Sequence, residues 1–250
     1  MRLIFCGQVP KDVEYPESIE DAFNIDARRS VVAISDGASE SFDSKTWANL
    51  LTAGFCHSPE IHAASIEQLV KNYELAHDLS SLTWSKIAAY ERGSYATLLG
   101  VEYSSAHSAV DIFAIGDSVA ALIQSDSLLD AFPYRTALEF QQRPTLLSTR
   151  LSSNGFLDEH SFYSMHSITW ELPDENESFL ILMTDALAEW AIRLNSEGSP
   201  RWRALLEIDS VSRLQTLVLT EREAGRMRTD DVTLVSLGFT PKRTYDLPIS

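Results

Sequence analysis

Acidic side chains stand at the ends of several short apolar segments of this sequence. Asp36 follows the mostly apolar run Val31–Ser35, and Asp185 follows Phe179–Met183. Comparable positions are held by Glu20, Asp21, Asp117, Asp230 and Asp231. Carboxylates gathered at one rim repel each other and raise each other's pKa unless a cation compensates them. Hard cations such as Mg²⁺ and Mn²⁺ prefer oxygen ligands, so these residue types favour a carboxylate metal site.

Some of these acids also have simpler explanations. Asp36-Gly37 is a dipeptide typical of ordinary turns, and acids such as Asp185 are favoured at the start of any helix. Glu189 lies four residues after Asp185 on a predicted helix, so both side chains share one face. The simpler explanation is that this face is exposed to solvent. The six histidines lie outside the carboxylate set, and the two cysteines lack zinc-ligand spacing.

The composition is that of a globular protein. The 250 residues are 44% hydrophobic and no linker divides them, so we expect a single domain over residues 1–250. The net charge of −16 argues against nucleic acid or an anionic membrane as a partner. The apolar runs are too short for a signal peptide or a membrane span, which favours a cytoplasmic location, and we expect a monomer.

Short segments rich in β-branched residues predict antiparallel strands. A hairpin with its turn at Asp26–Ser30 would bring Glu20 or Asp21 to the level of Asp36, because antiparallel neighbours lie side by side. Gly116-Asp117-Ser118 is interpreted as a tight hairpin turn between two further strands.

Helical periodicity follows the first hairpin and returns near the end of the chain. One helix is predicted to begin at Ser44, and a longer one runs from Ile66 to Ile87 and is closed by Gly93. Residues 130–165 are predicted to form an irregular surface excursion, and residues 240–250 a loose tail. Runs of strands interrupted by helix pairs predict an α+β fold. We expect two antiparallel β-sheets packed as a sandwich and flanked by pairs of helices, a four-layer αββα arrangement.

The order of these motifs resembles that of the type 2C metal-dependent protein Ser/Thr phosphatases, in the manner of a divergent bacterial-type member. The similarity runs from about Glu20 to Gly238. The matching segments are Glu20-Asp21-Ala22, Asp36-Gly37, Tyr95–Val101, Gly116-Asp117-Ser118, Thr184-Asp185-Ala186 with Glu189 and Trp190, and Arg228–Thr233. Each segment is a weak signal, whereas six in the family's order are specific.

The resemblance implies the same four-layer fold and a centre for two Mn²⁺ or Mg²⁺ ions. By position, Asp36 would bridge both ions. The other implied ligands are Glu20 and the Gly37 carbonyl for one ion, Asp185 and Asp230 for the other, and Asp117 and Glu189 for a third, weaker ion. Asp36, Asp185 and Asp230 would be catalytic, because paired ions lower the pKa of a shared water and supply a hydroxide that attacks phosphorus.

The sequence departs from the family's pattern around the expected phosphate site. Pro16 stands where many members carry a phosphate-gripping Arg, and Ala38 stands where eukaryotic members have a His. Ser39-Glu40 replaces the usual Gly-Gly, and Ala186 replaces a Gly. The arginines considered as replacements for the missing cation are Arg143, Arg150 and Arg28.

The leading prediction is hydrolysis of phosphoserine and phosphothreonine in proteins, opposed by a Ser/Thr kinase. Two alternatives stay open. A catalytically weakened relative would bind phosphoproteins or a kinase as a regulator; loss of the Arg and the His favours this, whereas retention of the implied metal carboxylates argues against it. A hydrolase of small phosphate esters would keep the site and change the substrate.

Overall fold

The computed structural model describes residues 1–173 and 176–240. Its β-strands are β1 (Arg2–Val9), β2 (Ala22–Asp26), β3 (Val31–Ser35), β4 (Tyr95–Ala96), β5 (Leu98–Ser104), β6 (Ala109–Ile115), β7 (Val119–Gln124), β8 (Ser127–Phe132), β9 (Leu147–Ser148), β10 (Ser167–Glu171), β11 (Ser178–Met183) and β12 (Val232–Phe239). Its α-helices are α1 (Ser44–His57), α2 (Ala63–Leu75), α3 (Trp84–Arg92), α4 (Phe162–His166), α5 (Asp185–Ser196), α6 (Trp202–Leu206) and α7 (Val211–Glu223).

The strands form two five-stranded antiparallel sheets and one short ribbon. The first sheet has the strand order β1-β12-β11-β7-β8, and the second has the order β10-β6-β5-β3-β2. The ribbon consists of β4 paired with β9.

Three layers of buried side chains fix the order of these elements. Val32 and Leu180 belong to the layer between the two sheets. Trp47 of α1 belongs to the layer that covers the outer face of the second sheet, together with α2. Trp190 of α5 belongs to the layer that covers the first sheet, together with α6 and α7. The predicted α+β sandwich with four αββα layers is therefore confirmed.

The first predicted hairpin is present with the expected register. Ala22 of β2 pairs with Ser35 of β3, and Asp26 pairs with Val31. Asp21 precedes β2 and Asp36 follows β3, so both acids lie at the same end of the hairpin. The expectation that this pairing brings them to one level is confirmed.

The hairpin predicted at Gly116-Asp117-Ser118 is wrong. The strand before this turn, β6, lies in the second sheet, whereas the strand after it, β7, lies in the first. Gly116 has a φ of 103°, and a Cβ atom there would lie 2.5 Å from Cγ2 of Thr97. The turn therefore needs glycine because it bends sharply against Thr97 and carries the chain from one sheet to the other.

The second predicted helix is interrupted. It divides into α2 and α3, with a single 3-10 turn at Leu79–Ser81 between them. Nε2 of His77 lies 2.8 Å from Oδ2 of Asp43, and the Asp78 carboxylate accepts a hydrogen bond from the Ser80 amide. Side-chain bonds of this kind offer the chain an alternative to continued helix.

The predicted excursion is irregular for most of its length but is not confined to the surface. Between β8 and α4, the described chain forms only 3-10 turns and β9. Leu147 and Ser148 are fully buried. The Trp47 indole N–H of α1 donates to the Leu147 carbonyl (2.9 Å) and β9 pairs with β4, which pins the excursion to the body.

Two further expectations concern the ends and the surroundings of the chain. The predicted loose tail lies outside the described residues, apart from Thr240. Across the two described stretches, no helix combines the length and the apolar character that crossing a bilayer would require.

Gly100 of β5 tests the packing of α1 on the second sheet. A Cβ atom at Gly100 would lie 2.2 Å from Cζ of the buried Phe55 ring. We expect Gly100→Ala to lower the free energy of unfolding by about 1–3 kcal/mol through overpacking, as measured by urea denaturation. Gly155→Ala is the matched control, since nothing lies within 4 Å of a Cβ atom there. Equal stability losses in the two variants would contradict the packing argument.

Candidate active site

A cleft of about 320 Å³ lies where several strand ends meet. Four of the predicted acids line it: Asp36, Asp117, Asp185 and Asp230. They come from four separate places in the chain: after β3, between β6 and β7, at the first residue of α5, and just before β12. The fold thus brings together carboxylates that are far apart in sequence.

Asp36 is held by its backbone to the start of β5. Its N–H donates to Oγ1 of Thr97 (2.8 Å), and the Thr97 N–H donates to the Asp36 carbonyl (2.9 Å). The Thr97 hydroxyl also bonds the Ser118 hydroxyl at 2.9 Å, beside Asp117. A Cβ atom at Gly37 would lie 2.7 Å from the Glu20 carbonyl oxygen, so a residue without a side chain is required beside Asp36.

Glu20 already has a cationic partner within the chain. Its Oε2 lies 2.7 Å from Nζ of Lys11, and its Oε1 accepts a hydrogen bond from Oγ of Ser44 at 2.6 Å. Burial would raise the pKa of Glu20, but hydrogen bonds from Lys11, Ser39 and Ser44 outweigh it and lower that pKa. Lys11 also donates to Oγ of Ser39 at 2.8 Å, which links Glu20 to the rim of the cleft.

Two neighbouring acids have structural partners. Asp231 is buried, and its carboxylate accepts the backbone N–H groups of Lys11 (2.6 Å) and Glu20 (2.7 Å). Asp21 is buried as well, and its Oδ2 accepts from Oγ1 of Thr233 at 2.6 Å. Burial, with repulsion from Asp231, raises the pKa of Asp21 to about 8. These two acids therefore fasten the segment that joins β1 to β2.

The carboxylates of the cleft act on one another electrostatically. Burial raises the pKa of Asp36 well above its ordinary value, and the negative charges of Asp21, Asp117 and Asp230 raise it further. Burial also raises the pKa of Asp117. The guanidinium of Arg228 opposes both shifts. The site therefore stabilises positive charge, and part of that charge comes from the chain itself.

Arg228 is the residue that the sequence prediction missed. It lines the cleft and forms an ion pair with Oδ2 of Asp185, while Oδ1 of Asp185 is buried without a hydrogen-bond partner. The sequence does place a basic residue two positions before Asp230. Because Arg228 lies in a loop, the sequence does not show which way its side chain points.

The donors in the cleft fit a hard divalent cation. All four acids offer carboxylate oxygens, and the buried Oδ1 of Asp185 has no other partner. In their described positions, however, no three acidic, histidine or cysteine side chains among residues 1–173 and 176–240 are arranged to hold an ion. Arg228 occupies the other oxygen of Asp185. The donor chemistry therefore suits a metal, and an ion at Asp185 would compete with Arg228 for that carboxylate.

Glu189 and Arg28 do not contribute to the cleft. The Glu189 carboxylate pairs with Nε of Arg193 at 2.9 Å on the same helix, so the placement of Glu189 near a third ion is not supported. Arg28 lies in the turn before β3, whereas Asp36 follows the other end of that strand. A strand of five residues spans about 16 Å, so the expectation that Arg28 could replace the missing phosphate-binding Arg is corrected.

Arg143 and Arg150 line a second groove, of about 600 Å³, and not the cleft itself. The groove and the cleft share Ala38, Ser39, Pro144 and Leu146. The two arginines are thus neighbours of the acidic site and face whatever extends out of it.

At the level of sequence, no protein-family model and no curated protein matches the chain. The fold is similar to solved phosphatase structures. A bacterial serine phosphatase is 13% identical with a TM-score of 0.58, covering 96% of this chain and 100% of that one. The photosystem II phosphatase PBCP is 14% identical with a TM-score of 0.55, covering 92% and 96%. The catalytic domain of the serine/threonine phosphatase PstP, in complex with two manganese ions, is 16% identical with a TM-score of 0.54, covering 88% and 92%. The chain shares the type 2C phosphatase fold with these proteins.

Asp231 tests how the site is fastened. Asp231→Ala would leave the backbone N–H groups of Lys11 and Glu20 without their charged acceptor. We expect a loss of about 2–3 kcal/mol in the free energy of unfolding, measured by urea denaturation. Asp209→Ala is the control, because that exposed acid pairs with Arg213 on the surface and its loss should cost less than about 1 kcal/mol. Similar losses in both variants would show that Asp231 does not fasten this segment.

Proposed function

We propose that this protein hydrolyses phosphoserine and phosphothreonine in proteins with the aid of two divalent cations, Mn²⁺ or Mg²⁺. The observation that carries the proposal is the convergence of Asp36, Asp117, Asp185 and Asp230 on one cleft that also contains a guanidinium. The shared fold supports it, because PstP, described as a serine/threonine phosphatase, has that fold together with two manganese ions.

The residues that would hold the ions follow from the donors in the cleft. Asp36, Asp185 and Asp230 would serve as the principal ligands, with Asp117 close by. The Gly37 carbonyl would contribute from a residue that lines the cleft, and Glu20 would exchange the Lys11 ammonium for an ion. Such ions, when bound, would act as Lewis acids that lower the pKa of water and offset charge on phosphoryl oxygens.

The chain's own groups would orient the phosphate. Arg228 presents a planar set of N–H donors inside the cleft, and guanidinium groups match phosphoryl oxygens with paired hydrogen bonds. It therefore takes the place of the Arg that the resemblance led us to seek at Pro16. Ser39, which also lines the cleft, offers a hydroxyl that is held by Lys11. Ala38 provides no proton donor, so the leaving group would take its proton from water.

A second candidate function is a phosphoprotein-binding regulator with weak or no turnover. Two ion pairs favour it specifically: Arg228 with Asp185, and Lys11 with Glu20. Each satisfies a proposed metal ligand with a cation from the chain. A protein that keeps both pairs would still bind a phosphate through Arg228 without cleaving the ester.

Hydrolysis assays separate the two candidates. We expect the wild type to hydrolyse p-nitrophenyl phosphate and a phosphoserine peptide with Mn²⁺ and to stop when the ion is chelated. Asp36→Asn and Asp185→Asn should each reduce the rate by about 100-fold, since each removes an ion ligand. Asp209→Asn, which removes an exposed acid outside the site, is the control.

If the wild type with Mn²⁺ is no faster than Asp36→Asn, the phosphatase proposal is wrong. Retained binding of the phosphoserine peptide would then support the regulator.

Arg228→Gln tests the competition between the guanidinium and an ion. Because Arg228 pairs with Asp185, we expect the variant to bind Mn²⁺ about fivefold more tightly in isothermal titration calorimetry. Inorganic phosphate should inhibit the variant less than the wild type. Arg28→Gln removes the same charge from a distant turn and should change neither quantity. Unchanged Mn²⁺ affinity in Arg228→Gln would show that Arg228 does not compete for the site.

A further inference from the structure

The second groove carries an unusual concentration of positive charge for so acidic a protein. Three arginines line it, Arg92, Arg143 and Arg150, against a single lining carboxylate, Glu40, among the described residues. Within the part of the chain that the structure describes, Arg143 and Arg150 form no ion pair. The whole chain has 36 acidic residues and a net charge of −16, so these two arginines leave positive charge available in an otherwise acidic protein.

The floor of the groove is rigidly built. Tyr95 of β4 pairs with Ser148 of β9. The Ser94 N–H donates to Oγ1 of Thr149 (2.9 Å), and the Thr149 N–H donates back to the Ser94 carbonyl (3.0 Å). The Asn154 side chain makes two further hydrogen bonds to the Ser148 backbone and so holds β9 in place. The β4–β9 ribbon is therefore fixed before any ligand arrives.

This ribbon also sets the direction of the arginine side chains. Gly93 has a φ of 86°, and a Cβ atom there would lie 2.8 Å from Cγ of Arg150, so the glycine makes room for the Arg150 stem. Hydrogen bonds from Ser153 and Ser148, followed by the charges of Arg150 and Arg143, lower the pKa of the Tyr95 phenol. The charges of both arginines therefore act on Tyr95, which lines the groove.

The groove is continuous with the acidic cleft. Ala38 and Ser39 form one wall of both spaces, and Pro144 and Leu146 form part of the other. Gly37 is bridged to Ala96 of β4, and the Ala38 N–H donates to the Tyr95 carbonyl (2.9 Å), so the loop after Asp36 is joined directly to the ribbon. A peptide whose phosphorylated side chain enters the cleft would run its neighbouring residues past the three arginines.

We propose that the Arg92–Arg143–Arg150 groove binds acidic residues that flank the phosphorylated residue of the protein's substrate, so that the protein selects acidic phosphopeptides. This rests on the proposed function for the placement of the phosphate. A short acidic segment suits the groove better than an extended polyanion, because the net charge of −16 repels long polyanions over most of the surface. Glu40, which also lines the groove, repels additional negative charge there and so favours a short acidic segment.

Peptide binding tests the groove without requiring hydrolysis. Two fluorescent peptides would each carry one phosphoserine, flanked on both sides by three Asp residues in one and by three Asn residues in the other. Binding is measured by fluorescence anisotropy without divalent ions at low salt. We expect the acidic peptide to bind the wild type about fivefold more tightly than the neutral one. The preference should fall toward unity in the Arg143→Gln/Arg150→Gln double variant and at 0.5 M salt, where exposed charges are screened.

The control and the kinetic readout keep the two proposals distinguishable. Arg28→Gln removes an exposed arginine outside the groove and should keep the full preference for the acidic peptide. Hydrolysis of p-nitrophenyl phosphate, which has no flanking residues, should be equal in the double variant and the wild type. If the wild type shows no preference for the acidic peptide, or if the double variant keeps the preference unchanged, the groove proposal is wrong. If the wild type shows no Mn²⁺-dependent hydrolysis while its peptide preference is present, the phosphatase proposal alone is wrong.

Discussion

Repulsion among the carboxylates of one cleft is the constraint on which the rest of this structure depends. Asp36, Asp117, Asp185 and Asp230 share one cleft, and burial together with neighbouring charge raises the pKa of Asp36 and of Asp117. A fold selected only for stability would place apolar residues at such a rim, because unpaired buried acids are costly. The chain instead retains the acids and adds cationic side chains beside them. Arg228 at Asp185 and Lys11 at Glu20 offset part of this negative charge from within the chain.

The sandwich supplies the acids through strand ends. The β2–β3 hairpin sets Asp36 opposite the segment of Glu20 and Asp21, and the crossing from β6 to β7 carries Asp117 to the same rim. Hydrogen bonds to the backbone then hold the acids at this rim. Thr97 holds Asp36, and Asp231 holds the backbone of Glu20, so neither acid depends on its own side-chain contacts for position. The buried Oδ1 of Asp185 has no hydrogen-bond partner and stays available to a ligand.

The sequence predicted the parts of this arrangement that follow from local periodicity. The β2–β3 register was predictable because a short polar turn joins two segments of matched length, and the αββα layers followed from the alternation of strand runs and helix pairs. The partner of a strand is not a local property. Gly116 has the chemistry of a tight turn, but its contact with Thr97 sends the chain into the other sheet. The break between α2 and α3 likewise depends on His77 reaching Asp43 of a distant segment.

The arginines show the same limit within the site. Arg143, Arg150 and Arg28 were equivalent in sequence, since each is a basic residue in an irregular segment. Tertiary structure separates them, because the β4–β9 ribbon and Gly93 direct Arg150 along the groove, whereas a whole strand removes Arg28 from Asp36. Arg228 could not be singled out from the sequence for a different reason. It lies two residues before Asp230, and the fold is needed to show that it pairs with Asp185. Positive charge in this protein is thus divided between two tasks. One guanidinium, that of Arg228, balances the acids inside the cleft, and three others line the neighbouring groove, where Glu40 is the single lining carboxylate among the described residues.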